Sequence, residues 1–319
     1  MTDELQERYD VVVIGGGAAG LNGALMLARA RRSVAVVDAG EPRNAPAAAI
    51  HGLLGREGMA PSELLELGRA EVRHYGGHVV AGTVAGAKST GDGFVVALED
   101  GREVGARRLL VTTGLVDRLP AIEGLRERWG KDVVHCPYCH GWEVRDRPIG
   151  IVATGPMAVH GALLFRQWTA DLVLFTHDQP YPSAEEVEQL EARGIRIVEG
   201  EIARVVTEGD CITGVRLRGG EFVERGVLAA GSRMEARAGF LQDLGLTVVE
   251  HPSGMGEHLA VDAMGRTEVP GVWAAGNVAD LMAQVGNAAA AGAMAGAQIN
   301  ADLVTEETAA AVAAQREGR

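Results

Sequence analysis

Two segments of the chain combine a continuous apolar run, a glycine-containing turn, a helix-like stretch and a second apolar run. The first is YDVVVIGGGAAGLNGALMLARARRSVAVVDAG, in which residues 11–14 are all apolar. The second is RPIGIVATGPMAVHGALLFRQWTADLVLFTH, with the apolar run 149–153. Continuous runs of this length are typical of strands that are buried on both faces of a parallel sheet. Two such strand-turn-helix-strand units predict an α/β protein.

A glycine-rich turn directly follows the first run. Gly15, Gly17 and Gly20 form a G-x-G-x-x-G pattern, and Asp38 ends the next predicted strand. The first glycine permits the tight turn, the second lets the backbone approach a pyrophosphate, and the third allows close packing of helix on sheet. The helix N-terminus offers N–H groups to phosphates, and a carboxylate at position 38 can accept hydrogen bonds from ribose hydroxyls. These residues predict an adenine dinucleotide site, which the pattern alone does not assign to FAD or NAD.

Composition and charge narrow the range of partners. The chain has 319 residues, 47% of them hydrophobic, which suffices for two domains with substantial cores. A net charge of −13 disfavours a nucleic acid or an anionic membrane, because both are bound through basic faces. The start, MTDELQERYD, lacks the apolar core of an export signal, and VGNAAAAGAMAGAQI is too short and too polar for a membrane span. We therefore expect a cytoplasmic protein that binds neither nucleic acid nor membrane.

Two of the three cysteines lie in the sequence HCPYCHGWE. The spacing of Cys136, Cys139 and His140 is compatible with zinc ligation, covalent haem attachment, a glutaredoxin-like centre or a redox-active disulfide. Structural zinc needs three or four ligands, whereas the remaining Cys211 stands alone between predicted strands. Haem attachment requires export, and a glutaredoxin-like centre would lie near the start of a small domain. The position between two dinucleotide-type units favours a redox-active pair, and we expect no metal site.

A second candidate flavin segment lies near the C-terminus. In GRTEVPGVWAAGNVAD the apolar run 272–275 is followed by Gly276 and Asn277. This segment resembles the second FAD motif of the flavoprotein disulfide reductases, in which a strand ends in Gly-Asp; here Asn277 replaces the aspartate. LLVTTGLVDRLPAIEG and GVLAAGSRME resemble the two junctions between the domains of those proteins. Together these segments cover nearly the whole chain. They resemble the low-molecular-weight thioredoxin reductase family, which implies FAD as cofactor.

The resemblance also implies the domain organisation and the cofactor site. The fold is expected to be α/β with two Rossmann-like dinucleotide-binding domains, the second inserted in the first. Residues 1–117 plus 240–319 would form the FAD-binding domain, and residues 118–239 the inserted NAD(P)-like domain with the Cys-x-x-Cys. A homodimer is expected from the family alone. The residues expected to bind FAD are Gly15, Gly17, Ala19, Gly20, Asp38, Arg43, Val84, Thr113, Gly114, Gly276, Asn277, Gln284 and Val285.

The inserted segment departs from a working NADPH site. Where G-x-G-x-x-A is expected, residues 153–158 read ATGPMA. The Cβ of Ala153 would enter the tight turn, and Pro156 removes an N–H that could bind a phosphate. FTHDQPYPSAEE, after the second strand, contains no lysine or arginine to hold a 2′-phosphate, and Asp178 would repel one. These features disfavour NADPH and leave NADH, bound through Asp178, as an alternative.

The string CPYCHGWE and the weak nicotinamide site resemble the thioredoxin-reductase-like dithiol oxidases of natural-product pathways, such as those of holomycin and gliotoxin. This resemblance implies that a small dithiol reduces the cysteine pair and that electrons pass through FAD to O2, giving H2O2. Cys136 would exchange with the substrate, Cys139 would relay to the flavin, and His140, where the reductases carry aspartate, would act as general base. The alternatives are an NAD(P)H-dependent reductase of thioredoxin or a small thiol, and a flavin-binding redox sensor without turnover.

Overall fold

The structure is a computed structural model that describes residues 3–318. Its strands are β1 (Arg8–Ile14), β2 (Val34–Asp38), β3 (His78–Ala81), β4 (Val84–Thr90), β5 (Gly93–Leu98), β6 (Glu103–Val111), β7 (Leu115–Arg118), β8 (Val133–Val134), β9 (Ile149–Val152), β10 (Leu172–Phe175), β11 (Arg196–Val198), β12 (Ile202–Glu208), β13 (Cys211–Leu217), β14 (Phe222–Glu224), β15 (Val227–Ala230), β16 (Arg233–Ala236), β17 (Val248–Glu250), β18 (Gly256–Leu259) and β19 (Val272–Ala274). Its α-helices are α1 (Ala18–Arg29), α2 (Pro61–His74), α3 (Pro137–His140), α4 (Ala158–Phe165), α5 (Ala184–Ala192) and α6 (Val285–Glu317). Short 3₁₀ helices cover Arg126–Arg128, Gly239–Leu244 and Gly276–Val278. Within the described range, no helix is both long and apolar enough to span a membrane.

The chain divides into two compact units. The first contains the residues up to Ala45, Pro61–Val116 and the residues from Met234 onward. The second contains Pro46–Ala60 and Asp117–Arg233. The segment 46–60 thus groups with the second unit, although both of its neighbours in sequence belong to the first. The domain assignment made from the sequence, 1–117 plus 240–319 and 118–239, remains a prediction.

The core of the first unit is a seven-stranded sheet in the order β3-β2-β1-β6-β5-β4, with β19 also paired to β6. β1, β2, β3, β6 and β19 run parallel, whereas β5 is antiparallel to both β4 and β6. The first predicted apolar run forms the end of β1, and Val12 pairs with Ala35 of β2 and Leu109 of β6. All three side chains are fully buried. The carboxyl ends of these parallel strands share one edge of the sheet, where nucleotide crevices form in α/β folds.

The helices α1 and α6 pack against each other through their backbones. A Cβ on Gly292 would lie 1.9 Å from the carbonyl oxygen of Ala19, and one on Gly296 would lie 2.6 Å from that of Gly23. A Cβ on Gly23 would in turn lie 2.9 Å from the carbonyl oxygen of Gly292. No side chain fits between the helices at these crossings. The position of α1, and of the glycine turn before it, is therefore fixed by α6.

The second unit has its own parallel sheet in the order β11-β10-β9-β15-β8. An antiparallel sheet in the order β12-β13-β14 accompanies it, and a further sheet of the chain has the order β17-β18-β16-β7. The second predicted apolar run forms β9, whose four residues are all buried. The strand is predicted one residue too long, since Ala153 lies just beyond it. α3, which carries the cysteine pair, follows β8 at the edge of the parallel sheet.

Candidate active site

The predicted glycine turn connects β1 to α1 and packs against the residues that follow β6. Gly15 has a φ of +108°, and a Cβ at this position would lie 2.5 Å from the carbonyl oxygen of Thr112. The Thr112 hydroxyl lies 3.0 Å from the carbonyl oxygen of Ile14 and 2.8 Å from that of Gly15, to which it donates. A Cβ on Gly20 would lie 1.9 Å from the Gly15 carbonyl oxygen. Contacts inside the protein therefore require glycine at positions 15 and 20.

The start of α1 fits the phosphates of a dinucleotide. A Cβ on Gly17 would meet no atom within 4 Å, so the space beside this residue is open. Gly17 is the N-cap of α1, no side chain caps the helix, and its first turn carries no acidic residue. The N–H groups and the positive dipole end of the helix can therefore bind an anion. The Asp38 carboxylate accepts hydrogen bonds from the N–H groups of Gly16 and Gly40, both at 3.2 Å, which holds it beside the turn as a ribose acceptor.

The other predicted cofactor residues of the N-terminal half lie in the same unit. The Thr113 hydroxyl oxygen is buried and has no hydrogen-bond partner among residues 3–318, as expected of an atom that a bound group would satisfy. Gly114 follows it with a φ of +70°. Val84 begins β4 with its side chain in the core, so only its backbone can meet a ligand. Arg43 Nη2 lies 3.5 Å from Met234 Sδ. Their contacts to FAD remain predictions.

The C-terminal flavin segment comes to the glycine turn through Gly276. This residue has a φ of +76°, and a Cβ on it would lie 2.9 Å from the Ala19 side chain. The Asn277 amide group donates to the carbonyl oxygens of Asp280 at 3.0 Å and Ala283 at 2.9 Å, so its N–H groups serve its own loop. Gln284 is the N-cap of α6 and Val285 its first residue, as expected from the sequence.

The cysteine pair lies in the second unit, where Cys136 and Cys139 form a disulfide across the single turn of α3. Their Cα atoms are 5.2 Å apart. Cys136 is the N-cap of α3, and its Sγ accepts a hydrogen bond from the Cys139 N–H at 3.2 Å. Pro137 occupies the first helical position, where a missing N–H costs nothing. The Cys139 N–H thus points at the Cys136 sulfur in the oxidised protein.

His140 directly follows the disulfide, and its imidazole is largely buried. Its backbone N–H donates to the Cys136 carbonyl oxygen at 3.1 Å. Burial lowers the pKa of the His140 imidazole, because desolvation penalises its charged form, and a smaller effect of Glu143 raises it. His51 lowers the same pKa further. The ring Nδ1 is buried without a hydrogen-bond partner in the part of the chain that the structure describes. At neutral pH the ring is therefore neutral and can accept a proton.

Two residues near the predicted sites, His51 beside the cysteine pair and Thr112 at the glycine turn, are not indicated by any pattern in the sequence. His51 approaches from the segment 46–60, and its Nε2 lies 3.5 Å from the Glu143 carboxylate. The Glu57 carboxylate lies 2.6 Å from the other ring nitrogen. The segment RNAPAAAIHGLLGREG shows no periodic pattern, so nothing in it marks His51 as a neighbour of the cysteines. Thr112, at the glycine turn, is likewise unmarked, although the adjacent Thr113 was predicted.

The turn of the second unit differs from that of the first. α1 begins directly after residues 15–17, whereas α4 begins only after residues 153–157. Ala153 is buried where the first unit has Gly15, and Pro156 and Met157 lie exposed in the turn. Asp178, beyond β10, accepts a hydrogen bond from the Gln179 side chain at 2.7 Å. The turn therefore has fewer free N–H groups for a phosphate, and no lysine or arginine follows β10 before α5.

A histidine pair outside both sites has a structural explanation. His251, which follows β17, and His258, which lies in β18, have ring centroids 4.8 Å apart. The His251 Nδ1 lies 2.7 Å from the Ser253 hydroxyl, and the His258 Nδ1 lies 2.9 Å from the Ala279 carbonyl oxygen. Across residues 3–318, no group of three or more His, Cys, Asp or Glu side chains is placed to hold a metal ion.

Comparisons with known proteins agree with this geometry. Residues 9–293 match the family described as pyridine nucleotide-disulphide oxidoreductase. Thioredoxin reductase tcpT of Claviceps purpurea is 32% identical over 309 residues, which cover 92% of this chain and 95% of that protein. The crystal structure of HlmI is 46% identical, with a TM-score of 0.91 and 99% of each chain covered. The structure of an oxidoreductase from Agrobacterium tumefaciens is 38% identical, with a TM-score of 0.88 and coverage of 93% of this chain and 99% of that one.

These similarities confirm the thioredoxin reductase-like α/β fold and the resemblance to thioredoxin-reductase-like flavoproteins. They also confirm FAD as the cofactor, which fits the open N-terminus of α1, the Asp38 carboxylate and the unpartnered Thr113 hydroxyl. The chain belongs to the pyridine nucleotide-disulphide oxidoreductase family, and it is an FAD-binding oxidoreductase.

Proposed function

We propose that the protein is an FAD-dependent dithiol oxidase that closes an intramolecular disulfide in a small-molecule dithiol of the natural-product type. In the first half-reaction, two substrate thiols lose two electrons and two protons and form one S–S bond. The Cys136–Cys139 bond breaks and takes up these electrons and protons as two thiols. The two cysteine thiols would re-form their disulfide by giving up two electrons and two protons, and bound FAD would supply the chemistry that transfers these to O2 as H2O2.

The proposal rests on the turn between β9 and α4, where a nicotinamide cofactor would have to bind. The turn that fits a dinucleotide in the first unit has Gly15 and Gly17, with α1 starting immediately after them. The corresponding turn of the second unit has Ala153 and Pro156, and its helix starts later. No lysine or arginine between β10 and α5 is available for a 2′-phosphate. Electrons are therefore expected to enter at the disulfide rather than from NADPH.

The surroundings of the disulfide support different roles for Cys136, Cys139 and His140. Disulfide exchange needs a thiolate that attacks one sulfur while the other leaves. His140 would accept the proton of the attacking substrate thiol, because burial lowers its pKa and favours the neutral ring. Cys136 would form the mixed disulfide with the substrate, and Cys139 would relay the electrons to the flavin. These assignments follow the family resemblance and the local geometry of α3.

The protonation of His140 predicts a pH dependence. The rate at which a dithiol reduces the enzyme's disulfide should fall as the pH drops through the pKa of His140, because the protonated ring cannot act as base. Burial lowers this pKa, so the fall should occur below about pH 6.5, the ordinary value for histidine. His140→Gln should slow the reaction by roughly 10²-fold at neutral pH and remove this fall in rate on the acid side of the pH profile. Anaerobic stopped-flow measurements across the pH range would show both effects. An acid limb that persists unchanged in the variant would exclude His140 as the base.

A nicotinamide-dependent disulfide reductase is the second candidate. The second unit retains the parallel strand-helix-strand arrangement of β9, α4 and β10, which is the framework of a dinucleotide site. A relative such as tcpT is also named a thioredoxin reductase. NADH, which lacks the 2′-phosphate, would be better tolerated by Asp178 than NADPH. The homodimer and the cytoplasmic location expected from the sequence also remain predictions, of which light scattering would test the first.

Anaerobic flavin spectra would separate the two functions. The purified, FAD-loaded protein would be titrated in parallel with a small dithiol, NADPH and NADH. We expect the dithiol to bleach the flavin, air to restore it with release of H2O2, and the nicotinamides to have little effect. Rapid bleaching by NADPH or NADH would overturn the proposal in favour of the reductase. Bleaching by the dithiol without sustained peroxide release would indicate a redox sensor.

A further inference from the structure

Two histidines and two glutamates gather beside the disulfide, and the proposed reaction uses only His140. The Glu143 carboxylate lies on the turn that continues α3, and Glu57 lies on the segment 46–60. His51 stands between the two carboxylates, with Nδ1 2.6 Å from Glu57 Oε1 and Nε2 3.5 Å from Glu143 Oε1. All four residues belong to the second unit, so this cluster is a feature of one compact body.

The backbone around His51 holds it in this position. Ile50 is buried, its N–H donates to the Met59 carbonyl oxygen at 2.8 Å, and its carbonyl oxygen accepts from the Gly58 N–H at 2.9 Å. The second oxygen of Glu57 accepts from the Gly52 N–H at 2.8 Å. Hydrogen bonds from both His51 and Gly52 lower the pKa of Glu57, so it remains a carboxylate. These hydrogen bonds close the loop that carries His51 and hold its ring against the Glu57 carboxylate.

Both ring nitrogens of His51 face carboxylates, Glu57 on one side and Glu143 on the other. Neutral imidazole has one N–H, whereas imidazolium has two and can donate to both partners. Each side chain of the pair is partly exposed: the His51 side chain is 20% exposed and that of Glu143 40%. The arrangement places the His51 ring within reach of Glu143, a carboxylate in the turn that follows His140.

We propose that His51, as an imidazolium that donates to both Glu57 and Glu143, is a positioning residue that adjusts the charge around the His140 base. This inference rests on the proposed function, in which His140 takes a proton from the substrate thiol. Glu143 and His51 are the charged groups that act on His140, one from its own turn and one from the segment 46–60. They act in opposite directions, since a neighbouring carboxylate favours the imidazolium and a neighbouring cation disfavours it. Burial is the main cause of the lowered pKa of His140, and His51 offsets part of the opposing effect of Glu143.

The opposite signs allow a test that a general structural defect cannot imitate. His51→Gln removes the cation while retaining hydrogen-bonding capacity, so protonation of His140 should become easier. Glu143→Gln removes the carboxylate, so protonation should become harder. Glu57→Gln weakens the hydrogen bond that anchors His51, and Glu57 lies outside the turn that carries His140. This variant should therefore shift the pKa of His140 in the same direction as His51→Gln. His160→Gln, an exposed histidine of α4, serves as the matched control and should have no effect.

The titration of His140 can be followed directly by NMR. The oxidised, FAD-loaded full chain would be labelled at its histidine rings, and the His140 resonance would be assigned by its absence from His140→Gln. We expect the His140 midpoint to move to higher pH in His51→Gln and to lower pH in Glu143→Gln. Circular dichroism and thiol titration would establish that each variant is folded with its disulfide intact. Equal midpoints in the three proteins, or shifts of the same sign in both variants, would overturn the inference.

The kinetics provide a second, independent readout. At mildly acidic pH, His51→Gln should be reduced by a dithiol several-fold more slowly than the unaltered protein, and at alkaline pH equally fast. Glu143→Gln should keep its rate to lower pH. The NMR result does not depend on turnover, so it tests the role of His51 even if dithiols prove not to be the substrates. Conversely, shifted midpoints with no change in the pH profile would leave the electrostatic role intact and exclude His140 as the base.

Discussion

Replacing Cys139 by serine is expected to lower the rate of dithiol oxidation by roughly 10⁴-fold or more, with the protein still folded and loaded with FAD. The disulfide cannot form without both sulfurs, and the proposed reaction has no other route for the electron pair. Cys136→Ser should have an effect of the same size, because either change removes the same bond. Peroxide release and anaerobic flavin bleaching with a small dithiol would measure the loss.

The third cysteine provides the control. Cys211 is exposed and unpaired at the start of β13, so Cys211→Ser should retain full activity. Combined with Cys211→Ser, the variants Cys139→Ser and Cys136→Ser also test the roles assigned to the two sulfurs. The free Cys136 of Cys139→Ser should react rapidly with an aromatic disulfide such as dithiodipyridine, forming a mixed disulfide and releasing one thione. The free Cys139 of Cys136→Ser should react more slowly. The reverse order would exchange the roles assigned to the two sulfurs.

Replacing Gly292 by alanine is expected to destabilise the first unit by about 3 kcal/mol and to reduce its FAD content. The added Cβ would lie 1.9 Å from the Ala19 carbonyl oxygen, which is backbone and cannot rotate away. α6 must then move away from α1, and α1 carries the N–H groups expected to meet the pyrophosphate. Thermal unfolding followed by circular dichroism, together with the flavin-to-protein ratio, would measure the two effects.

Gly161→Ala is the matched control for this helix substitution. Gly161 lies in α4, and a Cβ at this position would meet no atom within 4 Å. The change should be neutral or stabilising by about 0.5–1 kcal/mol, because alanine loses less backbone entropy than glycine in a helix. A destabilisation by Gly161→Ala as large as that of Gly292→Ala would contradict the explanation from helix contact.

Local patterns predicted the elements of the nucleotide site with good accuracy. The apolar runs form β1 and β9, the helices begin where the glycine turns end, and Val285 begins α6. These features depend on short-range rules: continuous apolar residues in buried strands, and positive φ angles at glycine. The flavin contact expected of Asn277 remains a prediction, and the hydrogen bonds from its amide N–H groups to carbonyl oxygens of its own loop were not indicated by its position after a strand.

The amino-acid sequence by itself determined the two strand-glycine-helix units, the cysteine pair and the departures of the second turn from the glycine pattern. Each of these features depends on residues that are neighbours along the chain. The tertiary structure alone decided which distant segments meet. It pairs α1 with α6 through glycines, and it brings the segment 46–60 to the second unit, so that His51 reaches Glu143. It also decides the burial of His140, which lowers the pKa of the proposed base. Burial and long-range contacts depend on how the whole chain packs, and no local periodicity records them.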